Sequence, residues 1–306
     1  MMAQGSVTWL WVSFTLAAAT MQVFRNATQA RLSAKVGPLG GTQARFIFGL
    51  PMGVALFLGY MLASGERLPP ITRPALSWVL AGAVVQIVGT WLMLVVMAKR
   101  DFGVSYAYMK TEPVTVALFG LVLLGQNLPV LGWVAVLVVT CGVVLASLKH
   151  GDSWSSLAQW RPVLIGVGSG ALYGLATICF SAAIHAEPAG SFLIRSLVML
   201  VISLAIQTVL LLVWFASTDM APLRASWREW RLCALAGALG GSATACWFIA
   251  YSQTIAANVR TLALIEMPIV ALVSRQVSGR WLSGREWIGF ALITGGVALL
   301  LLAHGA

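Results

Sequence analysis

Charge is scarce in this chain. Asp, Glu, Lys and Arg make up 9% of it, against about a quarter in a soluble domain. A fold dissolved in water needs a charged surface, so an ordinary soluble domain is excluded. Acidic residues are scarcest, nine in all, and no HExxH or DxxxD pattern occurs. Clustered acid–base or metal chemistry of an embedded enzyme therefore has little to draw on. No GxxxxGK[ST] loop is present, so ATP does not drive the protein directly, and no cofactor is expected. Cys141, Cys179, Cys233 and Cys246 lie in apolar stretches without CxxC spacing, where thiols behave as small hydrophobes. His150, His185 and His304 are too far apart to suggest a local metal site. The basic residues form no run with interleaved aromatics. The net charge of +10 therefore reads as juxtamembrane anchoring to anionic lipid, with no nucleic-acid partner. Met1–Ala19 is apolar but lacks the basic stretch that opens a signal peptide, so it is read as part of a first span.

Apolar residues are abundant: 59% of the chain, with a mean hydropathy of +0.90. Lipid is the solvent that suits such a surface. The expected fold class is all-α, a polytopic membrane protein of ten transmembrane helices. Breakers and charges place them at 8–30, 38–62, 75–98, 104–124, 129–148, 162–184, 189–216, 231–252, 256–277 and 284–303. Helix is required because an unpaired peptide group in hydrocarbon costs several kcal/mol. The long unbroken apolar runs exclude a barrel, whose strands alternate with period two. Trp9, Trp11, Trp78, Trp133, Trp154, Trp160, Trp227, Trp230, Trp281 and Trp287 cluster at span ends as an interfacial belt.

The chain repeats itself. Glu112 to Leu145 aligns without gaps on Glu266 to Leu299, matching Val116-Ala117-Leu118 to Val270-Ala271-Leu272, Trp133 to Trp287 and Gly142 to Gly296. Pro38, Gly40 and Arg45 share the spacing P-x-G-x4-R with Pro188, Gly190 and Arg195, and Leu80–Ala83 matches Leu235–Ala238. The expected organisation is a first five-helix repeat over 1–148, a connecting loop over 149–161 and a second repeat over 162–306. An odd number of spans per half sets the second half upside down, an inverted repeat of the kind that places a transporter's substrate site where the halves meet. Small residues four apart, Gly37 to Gly41, Gly170 to Gly174 and Gly237 to Gly241, allow close helix contact.

Ionisable side chains inside spans mark function or internal pairing, because each costs at least ~2.5 kcal/mol at the bilayer centre. Arg45 and Arg195 hold equivalent positions about two turns into the second and seventh helices, and Glu112 and Glu266 into the fourth and ninth. Lys110 and Arg275 are unmatched. An internal pair between Arg45 or Arg195 and Glu112 or Glu266 is one reading. The other is contact with substrate or a coupling proton, the excess of cations suiting a carboxylate or phosphate. Gln22, Arg25, Asn26 and Gln29 share one face of the first helix, and Ser169, Tyr173, Thr177 and Ser181 one face of the sixth. Gln86 and Thr90 mark the third. Tyr106 and Lys110 share one face of the fourth, while Lys110 and Glu112 point about 200° apart. Trp91 and Trp247 fall mid-span in corresponding helices and are candidates to line a cavity. Pro113 and Pro268, just after the glutamates, suit a hinge. The candidate substrate-binding or coupling set is therefore Gln22, Arg25, Asn26, Arg45, Gln86, Thr90, Trp91, Tyr106, Lys110, Glu112, Tyr173, Thr177, Arg195, Trp247 and Glu266.

Ten spans in two repeats, each with a Pro-containing fourth helix, a Gly turn and a Trp- and Gly-rich last helix, resemble the drug/metabolite transporter superfamily and within it the EamA-type ten-helix permeases. The matching segments are Glu112-Pro113 through Gly142 and Glu266-Met267-Pro268 through Gly296. The resemblance implies a bacterial inner-membrane carrier working by alternating access. Its central cavity would lie between the first, third, fourth, sixth, eighth and ninth helices. The implied partners are a small-molecule substrate such as an amino acid or organic anion, many relatives exporting theirs, the lipid bilayer, and protons as a coupling ion. The chain is expected to act as a monomer. Two features depart from the family. Where many relatives carry Gly-Glu after the fourth and ninth helices, this chain reads Gly125-Gln126 and Gly279-Arg280, so no role of that glutamate carries over. Loops after odd-numbered helices hold most of the Arg and Lys, which places both termini outside the cytoplasm, whereas the family is drawn with both inside.

Overall fold

The structure, a computed structural model, describes residues 9–99, 109, 112–147, 160–266 and 284–305. The regular elements among them are all helices: α1 (Leu10–Ile47), α2 (Leu50–Ser64), α3 (Arg73–Lys99), α4 (Glu112–Leu124), α5 (Val130–Ser147), α6 (Trp160–His185), α7 (Phe192–Ser217), α8 (Ala221–Arg228), α9 (Trp230–Tyr251), α10 (Ala256–Ala263) and α11 (Gly284–Gly305). Leu10–Ser64, Arg73–Ala98, Leu164–His185, Phe192–Ser217 and Trp230–Tyr251 are long and apolar enough to cross a membrane, and Glu112–Leu124, Val130–Leu145 and Trp287–Leu300 are shorter apolar helices.

The 55-residue stretch Leu10–Ser64 is too long for one crossing, since about 20 helical residues span the hydrocarbon. Gly37-Pro38 divides it. Gly37 takes φ 78°, ψ 165°, a region open essentially to glycine. The following proline bars Gly37 from the helical region and is itself preset to begin the next helix. The first span thus runs to residue 36 rather than ending near 30. The stretch Thr28 to Lys35 is mostly polar, but none of its residues breaks a helix. The second span, placed at 38–62, is Pro38–Ile47 followed by α2, with a tightened turn at Phe48-Gly49 where Gly49 N–H bonds Phe46 O at 3.2 Å. Gly65, φ 66°, closes α2 by donating to Met61 O, a glycine C-cap.

Gly37→Ala tests this kink. Open space surrounds the position, so the only cost is backbone strain, about 1–3 kcal/mol. A lower melting transition of the detergent-solubilised protein is expected. An unchanged transition would mean that the turn is not held at Gly37.

Under the correspondence of the halves, the first span pairs with the sixth, the third with the eighth and the fifth with the tenth. The three most extensive helix contacts are α1 with α9, α3 with α6, and α5 with α11. The first two exchange when the halves exchange, and the third maps onto itself. The α5–α11 seam repeats this at single residues. A Cβ on Gly142 would meet Gly289 O at 2.7 Å and Ile293 N at 2.9 Å, and one on Gly296 would meet Val139 N at 3.1 Å and Ala135 O at 3.2 Å. Gly142 aligns with Gly296, Ala135 with Gly289 and Val139 with Ile293.

The core lies between α3, α6, α7 and α9, with Phe180 and Phe248 4.9 Å apart between ring centres. α2 turns most of its surface outward, and Val122, Val130, Val213 and Ile288 are exposed, as a lipid-facing surface requires. Trp9, Trp227, Trp230 and Trp287 are exposed at helix ends, in keeping with a belt. Trp11, the second residue of α1, is not part of it: it is buried in the core, packed against protein rather than headgroups. The segment Ser217–Glu229, read from sequence as a linker, contains α8, whose Leu223 and Ser226 are buried while Trp227 packs 5.0 Å from Phe48.

Candidate functional site

Helix α9 ends at Tyr251, turns through Ser252–Thr254, and the chain re-enters helix after an extended Ile255. All eight residues of α10 are buried, including Arg260. This return lays the Arg260 guanidinium over α9. Its Cζ sits 4.4 Å from the Trp247 ring centre and 5.7 Å from that of Tyr251. Trp247 and Tyr251 are one turn apart on α9 and near-parallel, at 14°, so they form a flat aromatic wall that favours a stacked cation.

Glu112, at the start of α4, faces the same guanidinium: Arg260 Nε lies 3.1 Å from Glu112 Oε1. Thr177 on α6 completes the group, accepting from Arg260 Nε at 3.2 Å and Nη2 at 3.1 Å and lying 3.5 Å from Glu112 Oε1. Arg260 is 7% exposed and Glu112 8%. Taking two charges out of water costs several kcal/mol each, so the pair persists only through mutual attraction and these extra hydrogen bonds.

A cavity of about 20 Å³ adjoins the pair, lined by Gln22, Arg25 and Asn26 of α1, Met93 of α3, Met109, Glu112, Tyr173 of α6 and Arg260. That volume admits about one water. Gln22 Oε1 accepts from Trp247 Nε1 at 3.2 Å, and Arg25 donates to Asn26 Oδ1 at 2.8 Å. Behind Tyr173 stands Arg45, whose Nη1 donates to the Tyr173 hydroxyl at 3.1 Å and to Thr90 Oγ1 at 3.4 Å. Thr90 and Tyr173 hydroxyls are 2.8 Å apart. Glu266 is fully buried and interacts electrostatically with Arg260.

Thus Gln22, Arg25, Asn26, Glu112, Tyr173, Thr177 and Trp247 of the sequence-derived set come together, with Arg45, Thr90 and Glu266 next to them. Tyr106, Lys110 and Arg275 lie outside the described residues, as does Pro268. Three other positions lie apart from this group. Trp91 is 41% exposed and lines an outer apolar groove with Leu39, Ile87, Val88, Leu211 and Trp214. The reason is register. The match of Leu80–Ala83 to Leu235–Ala238 sets Trp247 opposite Leu92, one residue beyond Trp91, and one residue is about 100° of helix. Gln86 is buried but reaches away, its Oε1 accepting from Gln207 Nε2 on α7 at 2.8 Å. Arg195 lies in the first turn of α7, not two turns in, and donates to the Glu187 carbonyl at 3.1 Å. Its motif partner Arg45 is central because Pro38–Gly40 continues as helix, whereas Pro188–Gly190 forms the bend before α7.

Arg195 belongs to a polar cluster that joins the α2–α3 and α6–α7 loops. Glu187 Oε2 accepts from Thr72 N–H at 3.1 Å, and Glu66 accepts from Ser191 at 2.8 Å and Tyr60 at 3.2 Å. Near the start of the second span, Lys35 pairs with Glu229 at 2.9 Å and Ser226 donates to Gly40 O at 3.4 Å. Polar ties therefore fasten both ends of the second span. The internal ion pair with Glu112, one of the two readings for Arg45 and Arg195, is made by Arg260. Its place five residues inside the predicted 256–277 span was the available signal. Among the described residues no group of three or more His, Cys, Asp or Glu is placed to hold a metal ion.

No curated protein sequence matches the chain. A solved structure described only as "Crystal structure of protein" superposes on it with a TM-score of 0.64 at 20% identity, covering 95% of this chain and 97% of its own. At that identity the likeness bears on the fold alone. Residues 9–148 match the EamA-like transporter family, and with that match and five helices long and apolar enough to cross a membrane the chain is a multi-span membrane protein whose first half is similar to the EamA-like transporters of the drug/metabolite transporter superfamily.

Proposed function

We propose that the protein is a secondary carrier of the bacterial inner membrane, moving small polar or amphipathic metabolites such as amino acids or organic anions outward by alternating access. Its two five-helix repeats, 1–148 and 162–306, would rock about a shared central site, an arrangement that the exchanging contacts of α1–α9 and α3–α6 support. The direction and the membrane follow from the resemblance to EamA-type permeases. The observation that carries this reading is the buried Glu112–Arg260 pair on the wall of a cavity that admits a water and no metabolite. A buried charged pair beside a polar cavity too small for a metabolite is what a carrier would present between its two open states. Substrate entry requires one set of end ties to part.

The test is solute counterflow in proteoliposomes. Labelled amino acids and organic acids are supplied outside, with the same unlabelled solutes inside. Saturable uptake accelerated by internal solute is expected for at least one of them. Trp91→Ala, on the outer face, should keep the wild-type rate. Flux that rises linearly with concentration and ignores internal solute would identify a passive channel and remove the carrier.

A further inference from the structure

Resting on the carrier reading, we propose that Arg260 is the clamp for a substrate carboxylate, that Glu112 occupies this clamp in the empty protein, and that each carboxylate carried is accompanied by one proton taken up on Glu112. The clamp has the right form. A guanidinium presents a planar fork matched to a carboxylate, and the stack on Trp247 and Tyr251 fixes its plane. Among the described contacts Glu112 meets this fork at Nε alone, short of the two parallel hydrogen bonds that a carboxylate can make with arginine. An internal ligand held by one prong yields to an external one that takes two.

Displacement has a consequence for the proton. Without Arg260, Glu112 retains Thr177 at 3.5 Å and borders Met93 and Met109. A buried carboxylate in that position costs several kcal/mol while ionised. Among the described residues, the charged or titratable groups around it are Arg260 and Glu266, Tyr173 on α6, Tyr251 on α9, and Arg25 and Arg45 on α1. Arg45 is engaged by Tyr173 and Thr90, and Arg25 by Asn26. Of the two carboxylates, only Glu112 is on the cavity wall. The balance is then closed. One substrate carboxylate replaces one Glu112 carboxylate on Arg260, one proton passes from water to Glu112, and the buried charge is unchanged. On the far side Glu112 returns its proton to water and pairs with Arg260 again as the substrate leaves.

The experiment uses purified protein in vesicles containing a pH dye, with protein-free vesicles as the blank. The probes are carboxylates from glycolate to N-acetylleucine, each beside its amide, together with zwitterionic leucine. Carboxylates should move with one proton each and accumulate about tenfold for every unit of imposed pH gradient, the factor that one proton supplies. Amides should not move. Glu112→Gln should bind carboxylates about tenfold more tightly and lose accumulation driven by the pH gradient; Arg260→Lys should weaken carboxylate binding without changing the proton ratio. Transport of leucine or an amide with carboxylates refused would overturn the clamp but leave the carrier standing. Carboxylate flux without proton flux, or an unaltered gradient response in Glu112→Gln, would overturn the proton step. No flux and no thermal shift with any probe would overturn the carrier reading itself.

Discussion

Replacing Arg260 with methionine should abolish carrier-mediated flux and destabilise the folded protein by about 3–5 kcal/mol, the cost of leaving one partner of a buried pair uncompensated. Glu112 would remain on the cavity wall, 8% exposed, without its counter-charge, and the Trp247–Tyr251 wall would lose the cation it stacks against. Stability and function are separable here. A buried ion pair replaced on both sides by neutral groups of similar size is often as stable as the original. The double variant Glu112→Gln/Arg260→Met should therefore recover most of the lost melting temperature while flux stays absent. A double-variant cycle read by thermal unfolding and by counterflow measures both. If Arg260→Met transports at the wild-type rate, the site has been misplaced; if the double variant is no more stable than the single, the two groups do not act as a pair.

Gly237→Ala should be the most damaging single-methyl addition in the second half of the chain. The new Cβ would overlap the carbonyl group of Phe48, and a Cβ on Gly241, one turn on, would meet Gly49 O at 3.0 Å. These two glycines open a groove on α9 that receives the tightened turn between α1 and α2. At Gly53 an added methyl would meet the flexible end of Leu204 and could push it aside. At Gly237 the obstacle is main chain, fixed by helix on either side, so α9 must move away from its longest contact. Overpacking of this kind costs about 1–3 kcal/mol and occasionally more, and the same displacement would carry Trp247 away from Arg260. Gly295→Ala is the control. Its Cβ would enter open space, and alanine favours helix over glycine by about 1 kcal/mol. A melting transition lowered in Gly237→Ala and unchanged or raised in Gly295→Ala is expected; equal transitions would show that α9 is not closely seated.

Much of this fold was legible because lipid imposes simple rules. Apolar runs of span length must be helices, so the positions of most helices follow from breakers and charges. Boundaries were lost where polarity was mistaken for a break, as at Thr28 to Lys35, and where a short amphipathic piece, α8, lay between spans. The candidate site was legible where one helix face carried several polar residues, as on α1 and α6. Repeat symmetry was a less reliable guide. It selected Trp91 with Trp247 although their helices are a residue out of register, and Arg45 with Arg195 although one follows a continuing helix and the other a bend. It also concealed Arg260. The alignment of Glu112 with Glu266, continued upstream, sets Arg260 opposite Tyr106, so no matched charge drew attention to it. Which carboxylate an arginine meets depends on how α10 folds back on α9, and spacing along the chain does not record that.

The seam between α5 and α11 gives and receives the same thing: each glycine lies against the neighbour's backbone at the position where the neighbour's glycine lies against its own. Surfaces of that kind are isologous, the form in which two identical chains associate. The α5–α11 contact thus has the form that two identical chains would make across a two-fold axis, and a covalent connection between such partners contributes effective concentration rather than complementarity.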